Sequence, residues 1–193
     1  MKCLVVVAHP VTKSLCHYLA KQTMRHLESK GYEITFLDLY ESKFSPQLTE
    51  RERSSYYTSR FDESLLYQEI AQLKAAEALV LVFPTWWFEF PAILKGWFDR
   101  VWAPGHAYNH APNLGAITPC LTNLKEVRVV TTLGSAWWVD KVVLRQPVKR
   151  VLKVGLLGAC AHRCSFRMLS LYRSEDTSFS RVESFVRKIE SKF

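Results

Sequence analysis

Three short stretches of this 193-residue chain carry side chains suited to chemistry on a bound ligand. The first is His9-Pro10-Val11-Thr12-Lys13-Ser14. Its hydroxyls and lysine, set before a helix whose first N–H groups are free, suit an anion, phosphate above all. The second is Pro84-Thr85-Trp86-Trp87-Phe88-Glu89-Phe90-Pro91, a run of aromatics with a proline at each end. A turn of that composition suits a planar, partly apolar ligand. The third, Thr131-Thr132-Leu133-Gly134-Ser135, again places hydroxyls and a glycine where a strand ends.

Other patterns point away from rival chemistries. The first turn has neither G-x-G-x-x-G nor G-x-x-x-x-G-K-[ST], which argues against a Rossmann dinucleotide site and a Walker A loop. His106 and His110 stand four apart, but in a loop with no carboxylate beside them, so no metal is expected. Cys160 and Cys164 lack a second Cys/His pair at zinc spacing. Placed in a strand, an offset of four would put them on one face as core thiols. Five scattered cysteines, an odd number, fit free thiols in a reducing, cytoplasmic compartment.

The elements that must position these stretches alternate. Residues 2–7, a continuous apolar and β-branched run, read as a strand buried on both faces. Ser14 is placed to cap a helix with Cys16, Leu19, Ala20, Thr23 and Leu27 on one face, stopped at Gly31. Residues 32–38 follow as a strand. Residues 39–60 read as a polar loop with a short capped helix near Thr49–Arg53. The spacing then predicts a helix over 62–75 with Leu65, Leu66, Ile70 and Leu73 inward, and a strand over 78–83. A helix from Pro91 presents Leu94, Trp97, Phe98, Val101 and Trp102, a stripe that builds core and is broader than one sheet face needs, which suggests added burial against a second copy of the chain. Gly96 inside it implies close packing. Residues 103–124, with Pro104, Gly105, Pro112, Gly115 and Pro119, read as a long loop of lid type. Strands over 126–132 and 159–169, a helix over 141–154 ended by Gly155 and Gly158, and a closing helix over 176–190 complete the pattern.

Composition sets the class. Hydrophobic residues make up 48% of the chain, enough for a normal core, and 193 residues suit a single domain over 1–193. The net charge of +8 is scattered, without basic runs, so nucleic acid is not expected. The longest apolar stretch, around residues 78–88, is broken by Pro84 and too short to span a bilayer, so no integral membrane segment is expected. Buried strands alternating with helices specify a parallel sheet covered on both faces. The order 2-1-3-4-5 fits the length, and its ligand crevice lies where the strand order reverses, beside strands one and three. The three turns then meet at one sheet edge. Phosphate donors beside a flat slot describe flavin mononucleotide (FMN).

The stretch FPTWWFEFPAILKGWFDRVW, with HAYNH after it, resembles the core motif of the flavodoxin-like NAD(P)H:quinone oxidoreductases. The likeness extends to His9-Pro10 through Ser14, Asp38-Leu39-Tyr40 with Phe44 and Pro46, and Thr131-Thr132-Leu133-Gly134, nearly the whole chain. It implies a three-layer α/β sandwich and an enzyme passing two electrons from NADPH or NADH, through bound flavin, to a quinone-like acceptor. It also implies a homodimer. By the same resemblance His9, Ser14, Leu15 and Cys16 line the flavin phosphate or pyrophosphate. Pro84, Thr85, Trp86, Trp87 and Phe88 hold the ring, and Thr131, Thr132, Leu133 and Gly134 close its pyrimidine side. Ala107 and Tyr108 face nicotinamide or quinone, often across the dimer interface. Leu133 replaces the first glycine of the family's T-T-G-G, and Cys16 replaces an amide found in members that bind FAD, so FMN is favoured over FAD. No acid or base residue has a convincing equivalent; Trp137 and Trp138 stand near that place. Trp86 departs from the family and points to this member's substrate choice. Some relatives serve instead as accessory subunits of glutathione-gated potassium efflux systems, the alternative reading.

Overall fold

The computed structural model describes residues 1–58, 60–111 and 115–193; Pro112, part of the expected long loop, lies outside them. Five parallel strands form the main sheet: β1 (Lys2–Val7), β2 (Glu33–Asp38), β3 (Ala78–Pro84), β6 (Glu126–Leu133) and β7 (Ser165–Tyr172), ordered β2-β1-β3-β6-β7. Counted within this sheet, the order is 2-1-3-4-5. A two-stranded antiparallel pair, β4 (Tyr108–Asn109) with β5 (Thr118–Pro119), stands apart within the loop expected to be irregular.

Alternation along the strands builds two cores. Cys3, Val5, Val7, Val80 and Val82 point to one face, where they meet α1 (Leu15–Ser29) and α7 (Phe179–Lys192) through Leu19, Leu27, Val182, Phe185 and Ile189. Leu4, Val6, Leu79, Leu81 and Phe83 point to the other. There they pack against α3 (Tyr67–Ala75), α4 (Ala92–Val101) and the helical stretch from Pro147 to Cys160. β3 is buried along its whole length, as a central strand covered on both faces must be.

Several local expectations are corrected. The helix over 62–75 begins only at Tyr67, and Leu65 is exposed while Leu66, Ile70 and Leu73 are buried. Gly155 and Gly158 do not turn the chain. They lie in a continuous helical run made of α5 (Pro147–Arg150), a π-helical stretch Val151–Leu156 and α6 (Leu157–Cys160), which buries Val148, Leu152, Leu157 and Cys160. Cys160 therefore ends a helix, and Cys164 precedes β7, so the pair shares no strand. The aromatic stripe of α4 is spent inside the chain: Trp97, Phe98, Val101 and Trp102 are all buried, ring edge against ring face.

α4 is held by the connection between β2 and α3. The cap expected near Thr49 is a full capping box opening α2 (Glu50–Ser55): the Thr49 hydroxyl accepts from Glu52 N–H, and Glu52 accepts from Thr49 N–H. Glu52 is also buried against Arg100 of α4, whose guanidinium donates to both carboxylate oxygens and to Ser45 O. Gly96 fits there because a Cβ would lie 2.2 Å from Pro46 O. Among the described residues no helix is long and apolar enough to cross a membrane.

Candidate functional site

The carboxyl ends of β1, β3 and β6 bring the three stretches together. Phe83 pairs with Thr131 and Pro84 with Thr132, and Thr85 N–H donates to Thr132 O at 2.9 Å, so the turns after β3 and β6 leave the sheet side by side. Ala8 N–H donates to Val82 O at 3.1 Å, which sets the β1 turn against them. Across that gap the rings of His9 and Trp86 lie 6.2 Å apart.

The aromatic turn is tight and strained. Glu89 N–H donates to Trp86 O at 3.0 Å, and the two residues between, Trp87 and Phe88, have φ of 52° and 61°. Two left-handed residues inside a four-residue turn make it type I′, which glycine and asparagine normally occupy. Tryptophan and phenylalanine there each cost about 1–2 kcal/mol. The packing does not return that cost, because Trp87 is 96% exposed. An aromatic turn that merely filled the core would bury its rings. Strained backbone clusters at active sites and ligand clamps, which makes this turn a candidate for holding a ligand.

A cleft of about 310 Å³ opens beneath this turn, lined by Thr85, Trp86, Trp87, Phe88, Leu133, Gly134, Ser135 and Glu175. That volume falls at the lower end of small-molecule sites, about 300–1,000 Å³. The Thr85 and Ser135 hydroxyls are buried without a hydrogen-bond partner, so a ligand with polar edges would satisfy them. Glu175 was not legible in the sequence. It follows β7 and reaches the cleft only because Ser174 N–H donates to Leu133 O, and its Oε1 lies 2.8 Å from where a Gly134 Cβ would stand. A cavity of about 270 Å³ beside Leu124 and Arg163 is mainly apolar and lies at the opposite, amino ends of β6 and β7.

β6 runs through Leu133, further than expected, and this redistributes the third stretch. Thr131 is enclosed and donates to Ser170 Oγ at 3.0 Å. Thr132 meets Cys16 Sγ at 3.5 Å. Both therefore brace the strand end from within the sheet, while Leu133, Gly134 and Ser135 reach the cleft. Cys16 is likewise packed beneath the site, and burial pushes its thiol up to about 11 despite the Thr132 bond. Its backbone N–H, like that of Leu15, belongs to the first turn of α1 and has no intrahelical acceptor. Pro84 is buried at the end of β3.

The β1 turn carries an ordered polar chain. Ser14 Oγ caps α1 by accepting from His17 N–H at 3.3 Å, and lies 2.9 Å from His17 Nδ1. His17 Nε2 lies 2.6 Å from Asp38 Oδ2, and Asp38 Oδ1 accepts from the N–H groups of Tyr40 and Glu41. His9 accepts at Nδ1 from Val11 N–H at 3.0 Å, and burial holds it below the usual histidine range.

Ala107 and Tyr108 do not reach this cleft within the chain. The loop turns back on itself just past α4 through Ala107 N–H to Ala103 O at 3.0 Å, and Ala107 is fully enclosed. Tyr108 lines a different cavity with Val151, Gly155 and Cys160. His106 pairs with Glu63 at 3.2 Å, and burial outweighs that carboxylate to lower its pKa. His110 packs on the Tyr57 ring.

A family model described as flavodoxin-like fold matches residues 1–186. The chain belongs to the flavodoxin-like family. Among similar proteins of this family is the Escherichia coli K12 protein YcaK, named an uncharacterized NAD(P)H oxidoreductase, 35% identical over 57% of this chain and 57% of its own. NAD(P)H dehydrogenase [quinone] 1 of Rattus norvegicus is 33% identical over 57% of this chain and 46% of its own. The chain thus spans about half the length of these curated relatives, 57% and 46%. A solved NAD(P)H:quinone oxidoreductase from Methanothermobacter marburgensis superposes with a TM-score of 0.81 at 25% identity, covering 99% of this chain and 93% of that one.

Proposed function

We propose that this chain is a flavin-dependent NAD(P)H oxidoreductase passing two electrons from NADPH or NADH to a quinone or similar acceptor. One observation carries the reading: strained backbone presents the Trp87 ring to solvent above a cleft holding two unpartnered hydroxyls. The names of the relatives agree with it.

The donor set suits a flavin. The N–H groups of Leu15 and Cys16, with Ser14 and His9, hold the phosphoryl group. Thr85, Trp86, Trp87 and Phe88 hold the ring, Thr85 offering its free hydroxyl. The Leu133–Ser135 backbone, braced from behind by Thr131 and Thr132, supplies N–H dipoles where negative charge develops. A bound flavin supplies two-electron chemistry that no side chain can. FMN is favoured over FAD, since the Cys16 thiol points into the sheet toward Thr132 and extends no donor toward a second nucleotide.

Residues 1–193 act as one flavodoxin-like domain in this reading, and the working unit is a homodimer. Val142, Val143 and Leu144, at the end of a short π-helical piece (Val139–Val143), and Val151 and Val154, on the helical run from Pro147, are exposed and would pair with a second copy. Tyr108, which shares a cavity with Val151, would then face the partner's cleft. Free cysteines throughout support a cytoplasmic setting.

The purified protein is expected to be yellow and to release FMN on denaturation. NADPH or NADH should bleach it without air, and a quinone should restore the colour. A colourless protein that takes up neither FMN nor FAD overturns the proposal.

A further inference from the structure

The chain Ser14–His17–Asp38 has a hydrogen count that only one protonation state satisfies when an anion is present. A serine hydroxyl donates once and accepts twice. Ser14 Oγ already accepts from His17 N–H. His17 Nε2 lies 2.6 Å from a carboxylate oxygen, which can only accept, so Nε2 carries a proton. If His17 is neutral, Nδ1 is bare, and Ser14 must spend its one hydrogen on it across 2.9 Å. The hydroxyl then turns a lone pair, not a hydrogen, toward the turn. If His17 is an imidazolium, Nδ1 donates to Ser14, both lone pairs are filled, and the hydroxyl hydrogen is free for an anion.

We propose that His17 takes up one proton when the flavin phosphoryl group docks at the β1 turn, making it a positioning and specificity residue for phosphorylated flavin. The inference rests on the flavin reading above and adds to it a residue that touches no ligand. Asp38 is what makes the charged ring tolerable in a partly buried place: it is itself buried and fixed at Oδ1 by two backbone N–H groups. The other groups about the ring do not substitute for it. His9, edge-on to His17 at 6.2 Å, has its pKa lowered by burial and its Nδ1 occupied by Val11 N–H. Lys13, in the same turn, is exposed to solvent.

The test uses the full chain stripped of flavin. FMN and riboflavin are titrated into wild type and His17→Gln from pH 5.5 to 8.5, following flavin fluorescence. The ionisation of FMN itself is common to both proteins and cancels in their ratio. The wild-type advantage for FMN is expected to fall by up to about tenfold per pH unit on the alkaline side, the slope for one coupled proton, and to be absent for riboflavin. In wild type alone, ¹⁵N shifts of His17 should show both ring nitrogens protonated in the FMN complex at pH 7.5, which keeps the test valid if the variant misfolds. FMN binding with a flat wild-type to His17→Gln ratio, or with a bare Nδ1, overturns the inference and leaves the proposed function standing. Failure of wild type to bind any flavin overturns the proposed function, and the inference with it.

Discussion

Replacing Trp87 by glycine separates the cost of the aromatic turn from its use. Trp87 has φ of 52°, and left-handed backbone costs an L-residue roughly 1–2 kcal/mol. Glycine removes that cost but gives up about 0.5–1 kcal/mol through its freer unfolded chain. Little packing is lost, because the residue is 96% exposed. Of the roughly 150–250 Å² an aromatic side chain offers, only about 10 Å² is covered, worth about 0.2 kcal/mol. The sum is a gain of about 0–1 kcal/mol, or up to roughly 2–4 °C in Tm for a chain of this size. Flavin binding should move the other way. Loss of one ring contact, about 0.5–1.5 kcal/mol, weakens FMN by roughly two- to tenfold. Urea unfolding of the flavin-free protein gives the first quantity, and fluorescence titration with FMN the second. A variant destabilised by more than about 1 kcal/mol would mean the ring is packed after all. Unchanged FMN affinity would mean the turn does not hold the flavin.

Three further outcomes follow from the scaffold. Burial alone would raise the Glu52 carboxyl, but Arg100 and the Thr49 N–H hold it below its ordinary range. Its contribution is therefore complete above the ordinary value of 4.5 and is lost as pH falls through the lower folded value. Urea midpoints between pH 3 and 7 should show that loss, and Glu52→Gln should flatten it while costing about 3–5 kcal/mol by stranding Arg100. Gly96→Ala should destabilise by about 1–3 kcal/mol although alanine favours helix, because the clash at 2.2 Å is with backbone; equal or higher stability in urea would contradict the packing of α4 on Pro46. Burial pushes the thiols of Cys3 and Cys160 up to about 12 and that of Cys16 up to about 11, so iodoacetamide at pH 7.5 should label Cys120 and Cys164 first; mass spectrometry showing Cys16 labelled as fast would refute its enclosure beneath Thr132.

The sheet and its helices were legible because their signals are local. Uninterrupted apolar runs mark buried parallel strands, and apolar spacings of three and four mark the faces of α1 and α7. The β1, β3 and β6 turns were legible for the same reason: hydroxyls and aromatics crowd the ends of apolar runs, and strand order places those ends together. The errors fall where a local pattern has two readings. The α4 stripe has the same spacing whether it meets a partner or its own core, and only the fold assigns Trp97 and Trp102 to the core. Gly155 and Gly158 are breakers by propensity, yet packing of Leu152 and Leu157 carries the helix through them.

Residue types and order along the chain thus decided that the strands would be parallel, which turns would share an edge, and that an aromatic turn would sit beside the N-terminus of α1. Those features depend on neighbours within a few residues and on topological rules with few solutions. Partnerships across long sequence distances belonged to the tertiary structure alone. Glu52 with Arg100, Cys16 with Thr132, Glu175 over Gly134, and His17 between Ser14 and Asp38 leave no periodic trace. They depend on where each helix settles on the sheet. The left-handed backbone of Trp87 and Phe88 belongs with them: their propensities oppose it, and it is seen only in the folded turn closed by Glu89 N–H on Trp86 O.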